Sequence, residues 1–170
     1  VLIGRLAALD DDLDVTLMLD DWLDGYGRSQ GDVLAELQSS AGHSGHMDDM
    51  SGMDSMMSGL FGDVAYPLHV INGRAPSERE VIDAKPGQRI RIRLINAGSD
   101  TAYRVAVGGH RLTVTHADGF PVKPLEVDNV VLGMGERYDV IVTTGSGSFP
   151  IVAIPEGKDD PAGEAILRTS

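Results

Sequence analysis

The stretch Pro86–Gly98, PGQRIRIRLINAG, constrains the fold more than any other. From Gln88 to Asn96 it alternates, with Ile90, Ile92 and Leu94 on one parity and Arg89, Arg91 and Arg93 on the other. A period of two belongs to a half-buried strand, here with the isoleucines inward and the arginines in water. Pro86-Gly87 before it and Ala97-Gly98 after it are turn punctuation. A strand with one dry face needs a second sheet to cover it, so the expectation is a β-sandwich.

The same texture runs from Val64 onward. Strands are expected at Leu68–Ile71, Arg79–Ala84, Gln88–Asn96, Ala102–Val107, Arg111–His116, Leu125–Leu132, Tyr138–Thr143, Phe149–Ile154 and Gly163–Thr169. Turn signals such as Asn72-Gly73, Gly108-Gly109, Asp118-Gly119 and Gly133-Met134-Gly135 separate them. Short, evenly spaced strands mark an all-β Greek-key sandwich or barrel rather than an α/β fold. There is no G-x-G-x-x-G, no P-loop and no G-x-S-x-G nucleophile turn. Upstream, Val15–Trp22 alternates and reads as a further strand. Ser29–Gln38 reads as one short helix, opened by the S-x-x-D pair Ser29 and Asp32, with Val33, Leu34 and Leu37 as its apolar stripe.

A length of 170 residues and an apolar content of 42% support one domain with a real core. The absence of cysteine removes disulfides, thiolate nucleophiles and Cys-based metal sites. No apolar run reaches the roughly 18 residues of a membrane span, and no signal-peptide pattern opens the chain. The first residue is Val1 rather than Met, and a piece of a longer protein is expected. Residues 1–13, apolar and then acidic, are read as a linker or the end of a preceding domain, and 14–170 as the domain itself. Val1–Asp63 holds thirteen acidic against two basic residues, whereas Val64–Ser170 holds thirteen against twelve. Such an acidic first part repels nucleic acid and anionic membranes.

Ser39–Gly62 is of different material, dense in Gly, Ser, Asp, Met and His, and is expected to be an insertion loop with no core of its own. Met47, Met50, Met53 and Met56 recur every third residue, with Met57 beside the last and His43 and His46 just ahead. Five of the seven methionines thus lie within this tract, which packing does not explain in so polar a segment. Soft thioether and borderline imidazole ligands favour Cu(I), so these seven residues are the candidate metal ligands. The bland reading is an idle loop whose methionines pack on the sandwich.

Elsewhere the bland readings are preferred. His110 and His116 share strand parity, but six residues at about 3.3 Å each put them roughly 20 Å apart, beyond any shared metal. His69 has no partner in sequence. Glu126, Asp128, Glu136 and Asp139 read as turn and strand-face charges, so no acid–base pair is nominated. The arginine row carries three charges with no interleaved aromatics, and is read as a solvated face paired with carboxylates or turned toward another domain.

Four motifs occur in order: INGR (Ile71–Arg74), PGQRIRIRLINAG (Pro86–Gly98), VGGHRLTVTHADG (Val107–Gly119) and VDNVVLGMGERYDVIV (Val127–Val142). With the DDW of Asp20–Trp22, they resemble the middle cupredoxin domain of three-domain multicopper oxidases, the group of laccases and bacterial cuprous oxidases. The resemblance implies a type 1 copper in the third domain and a trinuclear copper cluster between the first and third. It also implies a parent that oxidises phenols or Cu(I) with dioxygen as acceptor, outside the cytoplasm. None of the family's copper ligands has a matching position here: there is no Cys and no His-x-His. By resemblance the domain bridges the two copper-bearing sister domains and is inactive alone, and the tract is similar to Met-rich insertions of copper-tolerance oxidases. Two other readings stand beside this one: a free-standing extracytoplasmic Cu(I)-binding module without redox catalysis, and a metal-independent Ig-like interaction domain.

Overall fold

A computed structural model describes residues 13–23, 27, 29–41 and 64–169. In chain order the strands are β1 (Leu13–Trp22), β2 (Leu68–Ile71), β3 (Glu80–Ala84), β4 (Arg89–Asn96), β5 (Tyr103–Val107) and β6 (Leu112–Ala117). They continue as β7 (Phe120–Val127), β8 (Val130–Leu132), β9 (Arg137–Thr143), β10 (Gly147–Pro155) and β11 (Gly163–Thr169). One helix, α1 (Gln30–Ala41), follows β1. Of the expected linker 1–13, Leu13 already belongs to β1, and Ser39–Ala41 of the expected loop belong to α1. Residues 1–12 and the candidate ligands His43, His46, Met47, Met50, Met53, Met56 and Met57 lie outside the described residues.

The alternating arginine–isoleucine stretch is β4, buried at every second residue through Ile90, Ile92, Leu94 and Asn96. It sits in a six-stranded sheet of order β2-β1-β4-β9-β6-β7. A five-stranded sheet, β3-β11-β10-β5-β8, covers its dry face. Both sheets are mixed, because β1 runs parallel to β4 and β3 parallel to β11. Leu17, Leu19, Ile92, Leu94, Val140 and Val142 from the first sheet share one core with Tyr103, Val105, Ile151, Ala165 and Leu167 from the second. Each such aliphatic side chain contributes about 1.5–3 kcal/mol by leaving water. The two-sheet sandwich expected from the alternation is the fold observed.

Three further expectations need correction. The run Leu125–Leu132 is two strands, because the chain leaves the first sheet at Val127 and enters the second at Val130. Apolar parity flips there, from Leu125 and Val127 to Val130 and Leu132. Asp128, paired with Arg111, and Asn129, accepting from Arg104, hold the crossing. The first of these strands also starts at Phe120, since Asp118 and Gly119, both at positive φ (49° and 84°), make a two-residue hairpin turn. Its prolines, which argue against a central strand, are tolerated on an edge.

The second correction concerns β6, where a bulge between Val114 and His116 inserts one residue opposite β9. His116 therefore leaves the core parity of Leu112 and Val114 and pairs with Asp139. The third concerns α1. Its start is as expected: Ser29 Oγ accepts from the Asp32 N–H at 3.2 Å, and Asp32 Oδ2 accepts from the Ser29 N–H at 2.8 Å. The apolar stripe is narrower than its sequence pattern. Only Val33 is buried, Leu37 is half-buried and Leu34 stands in solvent.

Candidate functional site

Each described histidine is committed to a local hydrogen-bond arrangement of its own. Tyr103 donates its hydroxyl proton to the Asp20 carbonyl at 2.8 Å, so its oxygen accepts from His69 Nδ1–H at 2.8 Å. His69 Nε2 is then a buried acceptor with no hydrogen-bond partner, 3.6 Å from Asp160 Oδ2. Burial holds the His69 pKa below its ordinary value against the pull of Asp160. Burial, with Asp21 and Asp20 nearby, pushes the Tyr103 phenol well above its own. His110 Nε2 accepts from the Gly145 N–H at 3.0 Å, so Nδ1 carries the proton donated to the Gly108 carbonyl. Its ring also meets Phe149 edge-on at 4.4 Å. Thr115 Oγ1 donates to the Asp139 carbonyl, and so accepts from His116 Nδ1–H at 3.1 Å.

The sequence motifs prove to be staples between loops and strands. In DDW, Asp20 Oδ2 accepts from the Trp22 indole N–H at 2.8 Å. The buried Asp21 carboxylate accepts from the N–H groups of Ser99 and Asp100 and from Thr101 Oγ1, at 2.7, 3.0 and 2.6 Å. In LINAG, Asn96 Nδ2 donates to the carbonyls of Thr101 and Leu132 while its Oδ1 accepts from the Gly98 N–H. A Cβ at Gly98 would stand 3.0 Å from Asn96 Oδ1 and 3.3 Å from Asp21 Cγ, so a side chain there would press on both staples. Asn72 of ING clasps β1 by accepting from the Met18 N–H and donating to the Thr16 carbonyl. Reasoning from sequence did not single out Asp21 or Asn96 as such staples. The available signals were an acid at a core-parity position of β1 and an amide closing an otherwise aliphatic alternation.

On the arginine face, Arg91 and Arg93 pair with carboxylates, and Arg91 is more enclosed than the arginines in water that the alternation suggests. Arg93 holds Asp14 through two bonds of 2.8 and 2.6 Å, which keeps the Asp14 carboxyl below the usual carboxylate value. Arg91 and Arg93 both reach Asp139 Oδ2, at 3.3 and 3.4 Å. A depression of about 680 Å³ lies between α1 and the end of β1. Trp22, Val33, Leu37 and Tyr66 line it together with Asp20 and Asp21.

The sequence profile of the multicopper oxidases matches residues 14–170. The chain belongs to the multicopper oxidase family. Multicopper oxidase MmcO of Mycobacterium tuberculosis is 48% identical over 167 residues, covering 93% of this chain. That alignment takes in 32% of MmcO, so the chain spans about a third of this relative's length. The blue copper oxidase of Nitrosomonas europaea superposes with a TM-score of 0.60 at 29% identity, over 92% of this chain and 43% of that one. Fet3p, a multicopper oxidase that functions in iron import, gives a TM-score of 0.68 over 94% of this chain and 28% of its own. At 17% identity that likeness is one of fold alone. The two-sheet sandwich is cupredoxin-like.

The family takes its name from copper, and the described residues do not fit a centre for it. Among them no three His, Asp or Glu side chains converge on a point where an ion could sit. The chain has no cysteine to supply a type 1 thiolate. His110 spends both ring nitrogens on the backbone, while His69 and His116 each commit Nδ1 to a neighbouring hydroxyl.

Proposed function

We propose that this chain is the middle cupredoxin domain of an extracytoplasmic three-domain multicopper oxidase. The parent couples oxidation of phenols or Cu(I) to four-electron reduction of dioxygen to water. The domain's own work is to hold the flanking copper-bearing domains in register. The observation that carries this reading is a contrast: a chain of the copper family whose described histidines are all engaged in structural hydrogen bonds and whose sequence lacks cysteine. The test is to supply the isolated chain with copper, dioxygen and an oxidisable phenolic dye. No turnover and no intense blue thiolate–copper absorption are expected; turnover would overturn the reading. The full reading frame supplies a second test, since His-x-His motifs upstream and a His-Cys-His run downstream are required.

A second reading concerns the tract with His43, His46, Met47, Met50, Met53, Met56 and Met57. Its soft ligand set suits Cu(I), and five methionines in eleven residues support a role in collecting that ion. Titration with Cu(I) against a competing chelator should show weak binding that is lost when the five methionines become serine. Tight stoichiometric binding in a chain encoded alone would favour a free-standing Cu(I) carrier instead. No metal effect at all would leave a metal-independent interaction domain.

A further inference from the structure

The edge of the six-stranded sheet carries an apolar flange that the sandwich does not use. Among the described residues β7 pairs with β6 alone, and of its eight residues only Val127 is partly buried. Phe120 is 74% and Leu125 61% exposed, and Val122 is exposed between them. Leu125 lies opposite the core residue Val114, so it faces inward by register, yet the five-stranded sheet stops short of covering it. Met134, 54% exposed, belongs to the neighbouring turn. Arg137 ties the two turns together: its guanidinium donates to the carbonyls of Gly135 and Asp118, and its N–H donates to Asp118 Oδ1. Phe120 and Met134 are thereby presented from one braced end of the molecule.

The chemistry of the flange selects the mode of contact. Pro121 and Pro124 offer no N–H, and Lys123 adds a charge, so the edge resists addition of a further strand. What remains is a side-chain surface. The acids bordering it are paired within the chain, Asp118 with Arg137 and both Asp128 and Glu126 with the single Arg111. An apolar patch with internally paired charges suits a lasting dry contact better than a charge-steered encounter. The alignment leaves about two-thirds of MmcO outside the matched part, and on the middle-domain reading the corresponding remainder of the parent is the covalently attached partner.

We infer that the β6–β7 hairpin and the Met134 turn form the face on which another domain of the same parent chain packs, with Phe120 and Leu125 as its anchors. The inference rests on the middle-domain reading and locates one of the two contacts that reading requires. Hydroxyl-radical footprinting of the full-length parent tests it without any substitution. Phe120 and Met134 should be labelled roughly tenfold more slowly in the native parent than in the urea-unfolded one. Phe120→Asp in the parent should restore labelling of Met134 and lower the thermal transition. Labelling of native Phe120 as fast as in the unfolded chain overturns the inference, and so does protection that disappears on dilution, which assigns the face to a second copy. A reading frame without flanking copper domains defeats the middle-domain reading itself. An unprotected Phe120 in a parent that has those domains defeats only the docking face.

Discussion

His69 Nε2 faces Asp160 Oδ2 across 3.6 Å, buried and without a hydrogen-bond partner, while its Nδ1–H is committed to Tyr103. The ring is therefore an unfilled proton site inside the fold. Burial holds its pKa below the 6.5 of a free imidazole, Lys158 works in the same direction, and Asp160 and Asp21 oppose them.

The sign of the pH effect follows. Well above pH 6.5 the ring is neutral in both folded and unfolded chains. As pH falls through 6.5, the unfolded chain takes up the proton first, so stability is lost progressively down to the folded pKa. The urea midpoint should fall between about pH 7.5 and about pH 5, and fall less steeply in His69→Gln. Equal slopes in the two proteins would show that His69 is not the titrating group. At neutral pH the substitution should cost about 1–3 kcal/mol through the disturbed Tyr103 bond.

Asp21 holds three donors of the loop that follows β4. Asp21→Ala leaves two part-buried N–H groups and the buried Thr101 hydroxyl without their acceptor. A loss of about 3 kcal/mol or more is expected in urea unfolding, with faster amide exchange at Ser99 and Asp100.

Gly98 and Gly87 separate two reasons for glycine. Gly98→Ala should cost about 1–3 kcal/mol by overpacking, since its Cβ would press on Asn96 and Asp21. Gly87→Ala meets nothing within 4 Å, and its cost of about 1–2 kcal/mol comes from φ +78° alone. Gly87→Asn, which tolerates that conformation, should recover part of the loss. Gly98→Asn should be worse than alanine.

Asp139 receives both Arg91 and Arg93, and its side chain, like that of Arg91, is only 14% exposed. Asp139→Asn should destabilise by about 1–3 kcal/mol and change little with added salt, because the pair is shielded from solvent ions. Asp83→Asn, which breaks the exposed Asp83–Arg168 pair, should leave the unfolding midpoint unchanged.

Legibility divides along a physical line. The alternation of β4, the Asn72-Gly73 and Asp118-Gly119 turns and the Ser29–Asp32 helix start were readable because each rests on the local chemistry of a few neighbouring residues. The break at Val127–Val130 left a trace, the flip of apolar parity, but β7 carries two prolines and no core-facing pattern strong enough to announce a strand. His116 could not be placed by parity, since the bulge that turns it toward Asp139 is defined only against β9. The candidate copper ligands of the tract rest on composition, and nothing in the described structure bears on them.

By itself, then, the sequence determined the two-layer architecture, the turn positions, the absence of a thiolate and the family likeness, all carried by period, residue type and order. Tertiary structure alone decided that Asp21 and Asn96 are staples and that His69 meets Tyr103 and Asp160. It likewise decided that Phe120 and Leu125 stand uncovered. The bonds of Asp21, the bond of Asn96 to Leu132 and the neighbours of His69 join residues 34 to 91 positions apart, and the exposure of Phe120 and Leu125 depends on where the opposite sheet ends. Period and residue type carry no information about either; only the packing of the sheets does.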